Sequence, residues 1–93
     1  MGKINIAITG CMGRMGQQLI KSAIKDKSTK LVALTENRSI NKKINGIRPE
    51  LNTEKALGKA NVIIDFTIPK CTFEVLKIAS KLKKKVVIGT TGF

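Results

Sequence analysis

The stretch that decides the fold runs from Ile4 to Gly16 and reads INIAITGCMGRMG. A short apolar strand pattern is followed by three glycines and then by a helical pattern. Glycines at a strand end let backbone N–H groups approach a phosphate, and the helix that follows points its partial positive end at it. Gly10 suits an unusual turn, Gly13 a close backbone approach, and Gly16 close packing of helix on strand. The stretch predicts a nucleotide-binding turn.

Strand and helix patterns alternate along the rest of the chain, which favours a parallel α/β sheet. The predicted fold is a Rossmann-like parallel sheet of about four strands with helices on both faces, forming one domain over residues 1–93 that is incomplete at the C-terminus. The predicted elements are a strand at Lys3–Thr9, a helix to about Lys25, a strand at Leu31–Leu34, a short helix at Thr53–Leu57, a strand at Val62–Phe66, a helix from Thr67–Pro69 to about Lys83, and a strand at Val86–Ile88.

Apolar periodicity predicts which side chains face the core. Three sets follow from it: Ile4, Ile6 and Ile8 on the first strand; Met15, Leu19, Ile20 and Ala23 on the first helix; and Phe73, Leu76, Ala79 and Leu82 on the last helix. The polar stretch from Asn37 to Asn52 is the least regular part and is predicted to be a mobile loop. Either Asn52 or Thr53 is expected to cap the short helix.

The composition excludes several functional classes. The chain has no histidine, which removes the commonest general base and metal ligand, and its six acidic residues are scattered. No apolar run is long enough to span a bilayer, and no secretory leader is recognisable, so we expect a cytoplasmic protein. Cys11 and Cys71 are expected to be free thiols, Cys11 as a small residue that fits the turn, although a helix terminus can lower a thiol pKa.

A net charge of +12 raises the possibility of nucleic-acid binding. The lysines are spread along the chain, however, and the chain has three Phe and no Tyr or Trp for base stacking. We therefore expect no nucleic-acid partner, although a basic surface would attract anionic cofactors and substrates.

Glu36 lies 20 residues beyond Gly16, at the end of the second predicted strand. An acidic residue there usually accepts hydrogen bonds from the adenosine ribose hydroxyls. Glu36 favours NADH, whereas Arg38, Lys42 and Lys43 could pair with the 2′-phosphate of NADPH. The alternatives are a turn without a ligand and solvated loop side chains.

Two further segments lie at predicted carboxyl ends of strands, where open α/β sheets bind ligands. In Asp65-Phe66-Thr67, Phe66 could pack against a nicotinamide edge; in Gly89-Thr90-Thr91-Gly92, the threonines offer groups to a ribose or substrate. Alternatively, Asp65 and Thr67 only cap the following helix. Arg14, in the first helical turn, would face a pyrophosphate or simply be solvated.

Taken together, these motifs resemble the dihydrodipicolinate reductase family. The specific parts are the Ile8–Gly16 turn, with its G-x-x-G-R-M-G spacing, and the Val87–Phe93 end, with Glu36 and the Ile64–Thr67 run between them. The resemblance implies a cytoplasmic enzyme of the diaminopimelate route to lysine. Such an enzyme reduces a cyclic dicarboxylate with NADH or NADPH, with loss of water.

By matching position, the resemblance implies that residues 10–15 hold the pyrophosphate, Glu36 the adenosine ribose, and residues 89–91 the nicotinamide end. The predicted cofactor-binding residues are Gly10, Cys11, Met12, Gly13, Arg14, Met15, Glu36, Asn37, Arg38, Phe66, Thr67, Gly89, Thr90 and Thr91. Many members carry an arginine directly after the ribose-binding glutamate. Here Asn37 takes that place and Arg38 follows, which weakens the expectation of an NADPH preference.

The family also carries a His-His-x-x-Lys signature for proton donation and a Ser-Gly-Thr run for substrate carboxylates, in a substrate domain that also mediates tetramer formation. This sequence contains neither. We expect these 93 residues to bind the cofactor, to be inactive alone, and not to form the homotetramer. Two alternatives remain: a coenzyme A-binding Rossmann domain of an acyl-CoA ligase, and a basic nucleic-acid-binding module.

Overall fold

A computed structural model describes residues 3–65 and 69–89. The elements are β1 (Ile4–Thr9), α1 (Arg14–Lys25), β2 (Thr29–Glu36), β3 (Glu50–Leu51), α2 (Glu54–Leu57), β4 (Val62–Asp65), α3 (Pro69–Leu82) and β5 (Lys85–Ile88). The strands form one parallel sheet in the order β3-β2-β1-β4-β5. The predicted Rossmann-like fold is therefore confirmed, with five strands in place of about four.

Two apolar cores lie on opposite faces of the sheet, because successive strand side chains point to opposite sides. Ile6, Ile8 and Leu34 pack with Ile20 and Ala23 of α1. The other face carries a second cluster, which joins β1, β2 and β4 to α2 and α3: Ala7, Ala33, Leu57, Ala60, Ile63, Val75 and Ala79. The helices thus cover both faces, as predicted.

Three residues predicted to face the core are exposed: Ile4 and Met15 at 49% each, and Phe73 at 60%. Ile4 has no partner residue on β4, because β1 pairs with β4 only from Ile6 onward. Met15 lies in the first turn of α1 and is not among the buried residues of that helix. In α3 the buried positions are Cys71, Thr72, Val75 and Ala79, so the core-facing stripe begins before Phe73.

The segment from Asn37 to Asn52 contains regular structure that the sequence did not predict. It contains β3 and a tight turn, in which the backbone N–H and C=O groups of Ile44 and Ile47 bond each other at 2.8 and 2.9 Å. Asn45 and Gly46 supply the positive φ angles, 52° and 77°, that the turn requires. Ile44 and Ile47 pack against the α1 core, which gives the segment an apolar anchor.

The starts of α2 and α3 agree with the sequence. Thr53, and not Asn52, caps α2, because its hydroxyl accepts the Ala56 N–H at 3.1 Å. Pro69 is the first residue of α3, a position at which a missing N–H costs nothing. Across residues 3–65 and 69–89, no helix combines the length and apolar character needed to cross a bilayer.

Candidate nucleotide-binding site

The carboxyl ends of the strands form one edge of the sheet. Thr9 of β1 pairs with Thr35 of β2 on one side and with Asp65 of β4 on the other, and Asp65 pairs with Ile88 of β5. The chain moves outward from β1 through β2 to β3 and then crosses to β4 on the other side. Ligand crevices in open α/β sheets lie at such a reversal, so this edge is the candidate site.

Gly10 and Gly16 have the geometry that the glycine spacing predicts. Gly10 has φ +66°, a conformation that suits glycine, and its carbonyl accepts the Gly13 N–H at 3.0 Å. A Cβ on Gly16 would lie 2.3 Å from the Gly10 carbonyl oxygen and 2.9 Å from Cys11 Cα. Only glycine at position 16 lets α1 begin this close to the turn. A Cβ on Gly13 would lie at an ordinary 3.4 Å from the Gly10 oxygen.

The first turn of α1 presents unused N–H groups. Gly13 is the N-cap residue and offers no side chain, and the first turn holds no acidic residue. Within the described part of the chain, the N–H groups of Arg14, Met15 and Gly16 have no acceptor. Unused donors and the helix dipole make this end electropositive. The exposed Arg14 guanidinium adds a further positive charge.

Glu36 brings a carboxylate next to the glycine turn. One oxygen accepts the Met12 N–H at 3.1 Å, and the other accepts the Asn37 N–H at 3.0 Å. A carboxylate has about four lone-pair sites, so these two bonds leave acceptor capacity for hydroxyl groups of a ligand. The bond to Met12 fixes where the carboxylate stands relative to the start of α1.

The two residues that follow Glu36 differ in their contacts. The Asn37 amide donates to Cys71 Sγ at 3.9 Å, which ties the end of β2 to α3. Arg38 is exposed and forms no ion pair among residues 3–65 and 69–89. Neither residue has a geometry that by itself selects a cofactor.

Cys11 is buried at the start of the turn, and its N–H donates to the Thr35 carbonyl at 3.2 Å. Burial, reinforced by the charge of Glu36, raises the pKa of the Cys11 thiol to about 11. The alternative of a thiol activated by the helix terminus is therefore wrong, and Cys11 acts as a small side chain that fills the turn. Cys71 is also a buried free thiol, as predicted.

Asp65 connects the two halves of the sheet at its carboxyl edge. Its Oδ1 accepts the Thr9 hydroxyl at 2.6 Å, and its carbonyl accepts the Gly89 N–H at 2.8 Å. Asp65 and Thr9 are completely buried. The side chain of Asp65 therefore holds β1 and β4 together, and its backbone places Gly89 at the end of β5. The predicted site residues Phe66, Thr67, Thr90 and Thr91 lie outside the described residues.

The sequence interpretation missed a cavity beside the turn. It has a volume of about 260 Å³ and is lined by Met12, Gln17, Ile20, Lys21, Lys42 and Ile44. The Asn45-Gly46 dipeptide was the available signal for the turn that places Ile44 here, because Asn-Gly favours tight turns with positive φ. Among the described residues, no group of three or more acidic, His or Cys side chains could hold a metal ion.

Comparison with known proteins places the chain in a family. Residues 4–93 match the family described as dihydrodipicolinate reductase, N-terminus. The chain is 67% identical over its full length to 4-hydroxy-tetrahydrodipicolinate reductase of Pelagibacter ubique, covering 36% of that protein. It is 45% identical, over 95% of its length, to the reductase of the same name from Buchnera aphidicola subsp. Schizaphis graminum, again covering 36% of that protein.

A solved structure agrees with the sequence comparisons. The dipicolinate-bound dihydrodipicolinate reductase from Paenisporosarcina sp. matches with a TM-score of 0.80 and 28% identity, over 98% of this chain and 38% of that one. The chain thus spans little more than a third of the length of these relatives. Its glycine turn, strand order and sequence together show that it belongs to the dihydrodipicolinate reductase N-terminal family.

Proposed function

We propose that this chain is the cofactor-binding part of 4-hydroxy-tetrahydrodipicolinate reductase and that it binds NADH or NADPH. The observation that carries the proposal is the hydrogen bond between Glu36 Oε2 and the Met12 N–H, 3.1 Å long. It puts the acceptor suited to a ribose beside the unused N–H donors suited to a pyrophosphate. The adenosine ribose and the pyrophosphate of a nicotinamide adenine dinucleotide therefore both have partners at one strand edge.

The residues fit a dinucleotide on three grounds. The N–H groups at the start of α1 are available and point out of a helix terminus. Glu36 keeps unused lone pairs. The missing Cβ at Gly16 lets α1 begin against the turn, and Gly13, the N-cap residue, places no side chain between the helix terminus and a phosphate.

Several of the predicted residues have a definite role in this proposal. Gly10 and Gly13 shape the turn, Arg14 adds positive charge toward the pyrophosphate, and Glu36 accepts hydrogen bonds from the adenosine ribose. Residues 89–91 would line the nicotinamide end. The bond from Gly89 N–H to the Asp65 carbonyl supports this by fixing where β5 ends, next to the crevice.

When bound, the dinucleotide supplies a hydride for reduction of the cyclic dicarboxylate on the route through diaminopimelate to lysine. The chain contributes binding and orientation. We propose that these 93 residues alone bind the cofactor without turning over substrate, because the sequence has no histidine to act as the proton donor that the family resemblance implies.

A titration of the purified chain with NADH, NADPH, coenzyme A and a short DNA duplex tests the cofactor proposal. Circular dichroism first confirms that the chain is folded. We expect binding of at least one dinucleotide, and weak, salt-sensitive binding of coenzyme A and DNA. A folded chain that binds neither NADH nor NADPH, or prefers coenzyme A or DNA, would overturn the proposal.

The activity of the longer protein requires a separate assay. The sequence extended to the length of the relatives should oxidise NADH or NADPH in the presence of 4-hydroxy-tetrahydrodipicolinate, and the 93-residue chain should not. Turnover by the 93-residue chain would show that the proton donor lies within it.

A further inference from the structure

We propose that Lys21 and Lys42, which both line the cavity beside the glycine turn, bind the 2′-phosphate of NADPH. The proposal rests on the proposed function and identifies residues that select between the two cofactors. Lys42 lies in the polar segment after β2, whereas Lys21 lies two turns into α1, outside the glycine motif.

The cavity lies beside the backbone group that is bonded to Glu36. Met12 lines the cavity, and its N–H is bonded to Glu36 Oε2. Gln17, another lining residue, donates its side-chain amide to the Met12 carbonyl at 3.1 Å and so braces this wall. A ribose held by Glu36 would therefore sit at the mouth of the cavity, with a group on its 2′-oxygen close to the lining residues.

The charged side chains in the lining of the cavity are all positive. Two of its residues are lysines and none is acidic. Neither Lys21 nor Lys42 forms an ion pair with any carboxylate in the described ranges, where the ion pairs are Lys59–Glu50 and Lys81–Glu54. Two ammonium groups beside one cavity repel each other, and an anion bound near both offsets that repulsion. A phosphate monoester, which carries nearly two negative charges at neutral pH, suits this pair.

The segment that contains Lys42 is anchored on α1 through Ile44. Ile44 contacts the α1 core and lies in the tight turn closed by the Ile44–Ile47 backbone bonds. This anchor holds the backbone two residues from Lys42 near α1. Lys42 and Lys21, which are far apart in sequence, therefore line the same cavity. Arg38 and Lys43, which lie in the same polar segment after β2, do not line the cavity. The geometry therefore favours Lys21 and Lys42 over the two neighbours that sequence position alone suggests.

The test compares dissociation constants of NADH and NADPH for Lys21→Gln and Lys42→Gln. Exposed charge pairs contribute modestly, and hydrogen bonds to charged groups contribute more, so each change should weaken NADPH about three- to tenfold. NADH, which lacks the phosphate, should change by less than about twofold. Lys25→Gln, one turn further along α1, and Lys43→Gln are matched controls and should leave the NADPH:NADH ratio unaltered.

Adenosine 2′,5′-bisphosphate and AMP separate the phosphate from the rest of the cofactor. The bisphosphate should bind more tightly than AMP to the parent chain, and the double variant should remove most of that difference. Added inorganic phosphate distinguishes a free-anion site. If phosphate binds there but the bisphosphate gains nothing over AMP, the cavity is not a cofactor subsite and the proposal is wrong.

The possible failures are distinguishable. An unchanged NADPH:NADH ratio in both lysine variants, with NADH still bound, overturns the assignment of Lys21 and Lys42 and leaves the cofactor proposal intact. A ratio that changes in Arg38→Gln or Lys43→Gln, and not in Lys21→Gln or Lys42→Gln, assigns phosphate recognition to Arg38 or Lys43 and overturns the proposal. A folded parent chain that binds neither dinucleotide overturns both proposals.

Discussion

Two buried threonines on neighbouring strands offer a matched test of how the carboxyl edge is stabilised. Thr9 and Thr35 are paired in the sheet, and both are completely buried. The Thr9 hydroxyl donates to Asp65 Oδ1 at 2.6 Å. The Thr35 hydroxyl has no hydrogen-bond partner among residues 3–65 and 69–89. Replacing each with valine removes a hydroxyl and keeps a β-branched side chain suited to a strand.

The expected effects have opposite directions. Thr9→Val deprives a buried carboxylate of a donor, which should destabilise the fold by about 2–4 kcal/mol. Thr35→Val replaces an unpaired buried hydroxyl, whose burial costs about 1–3 kcal/mol, with a methyl group. That variant should be as stable as the parent or more stable, by up to about 2 kcal/mol.

Thermal unfolding followed by circular dichroism measures both effects. In a domain of this size, 1 kcal/mol shifts the Tm by about 4–8 °C, so Thr9→Val should lower it by at least about 8 °C. Thr35→Val should leave the Tm unchanged or raise it. Equal losses in the two variants would refute the reasoning, because they would mean that only packing, and not the Thr9–Asp65 bond, matters at this edge.

Four further substitutions test the glycine turn and its neighbours. Gly16→Ala should destabilise by about 1–3 kcal/mol in urea unfolding, because the new Cβ meets backbone atoms of Gly10 that cannot rotate away; Gly13→Ala, with room for a Cβ, should cost less. Glu36→Ala should weaken NADH more than NADPH in a binding titration, and equal losses would contradict a ribose contact. Because the pKa of Cys11 is raised to about 11 from 9.0, unfolding should become easier as pH rises from about 9 to about 11, and Cys11→Ala should reduce that slope.

Much of the fold could be predicted because local pattern and burial agree. The run from Ile4 to Thr9 forms the predicted strand, Gly16 closes the turn against Gly10, and α1 ends at the predicted Lys25. The regions where prediction failed are governed by contacts distant in sequence. β3 has only two residues and exists because it pairs with the end of β2.

Part of the site could also be predicted from local sequence pattern. Glu36 could be located by its spacing from Gly16, but its bond to Met12 depends on how β2 aligns with the turn. The Lys21–Lys42 cavity could not be predicted, since it depends on the packing of Ile44 against α1. The sequence shows which residues follow a strand. The cavity forms only when the segment that contains Ile44 packs against α1.

Amide NMR spectra of the isotope-labelled chain, recorded during a titration with NADH, test the central claim most directly. The claim is that the start of α1 and Glu36 together receive the dinucleotide. We predict the largest shifts at the N–H groups of Met12, Arg14, Met15 and Gly16, with little change at the distant Asp26–Ser28 turn. Shifts centred on α3, or an unchanged first turn of α1 with NADH bound, would contradict the account.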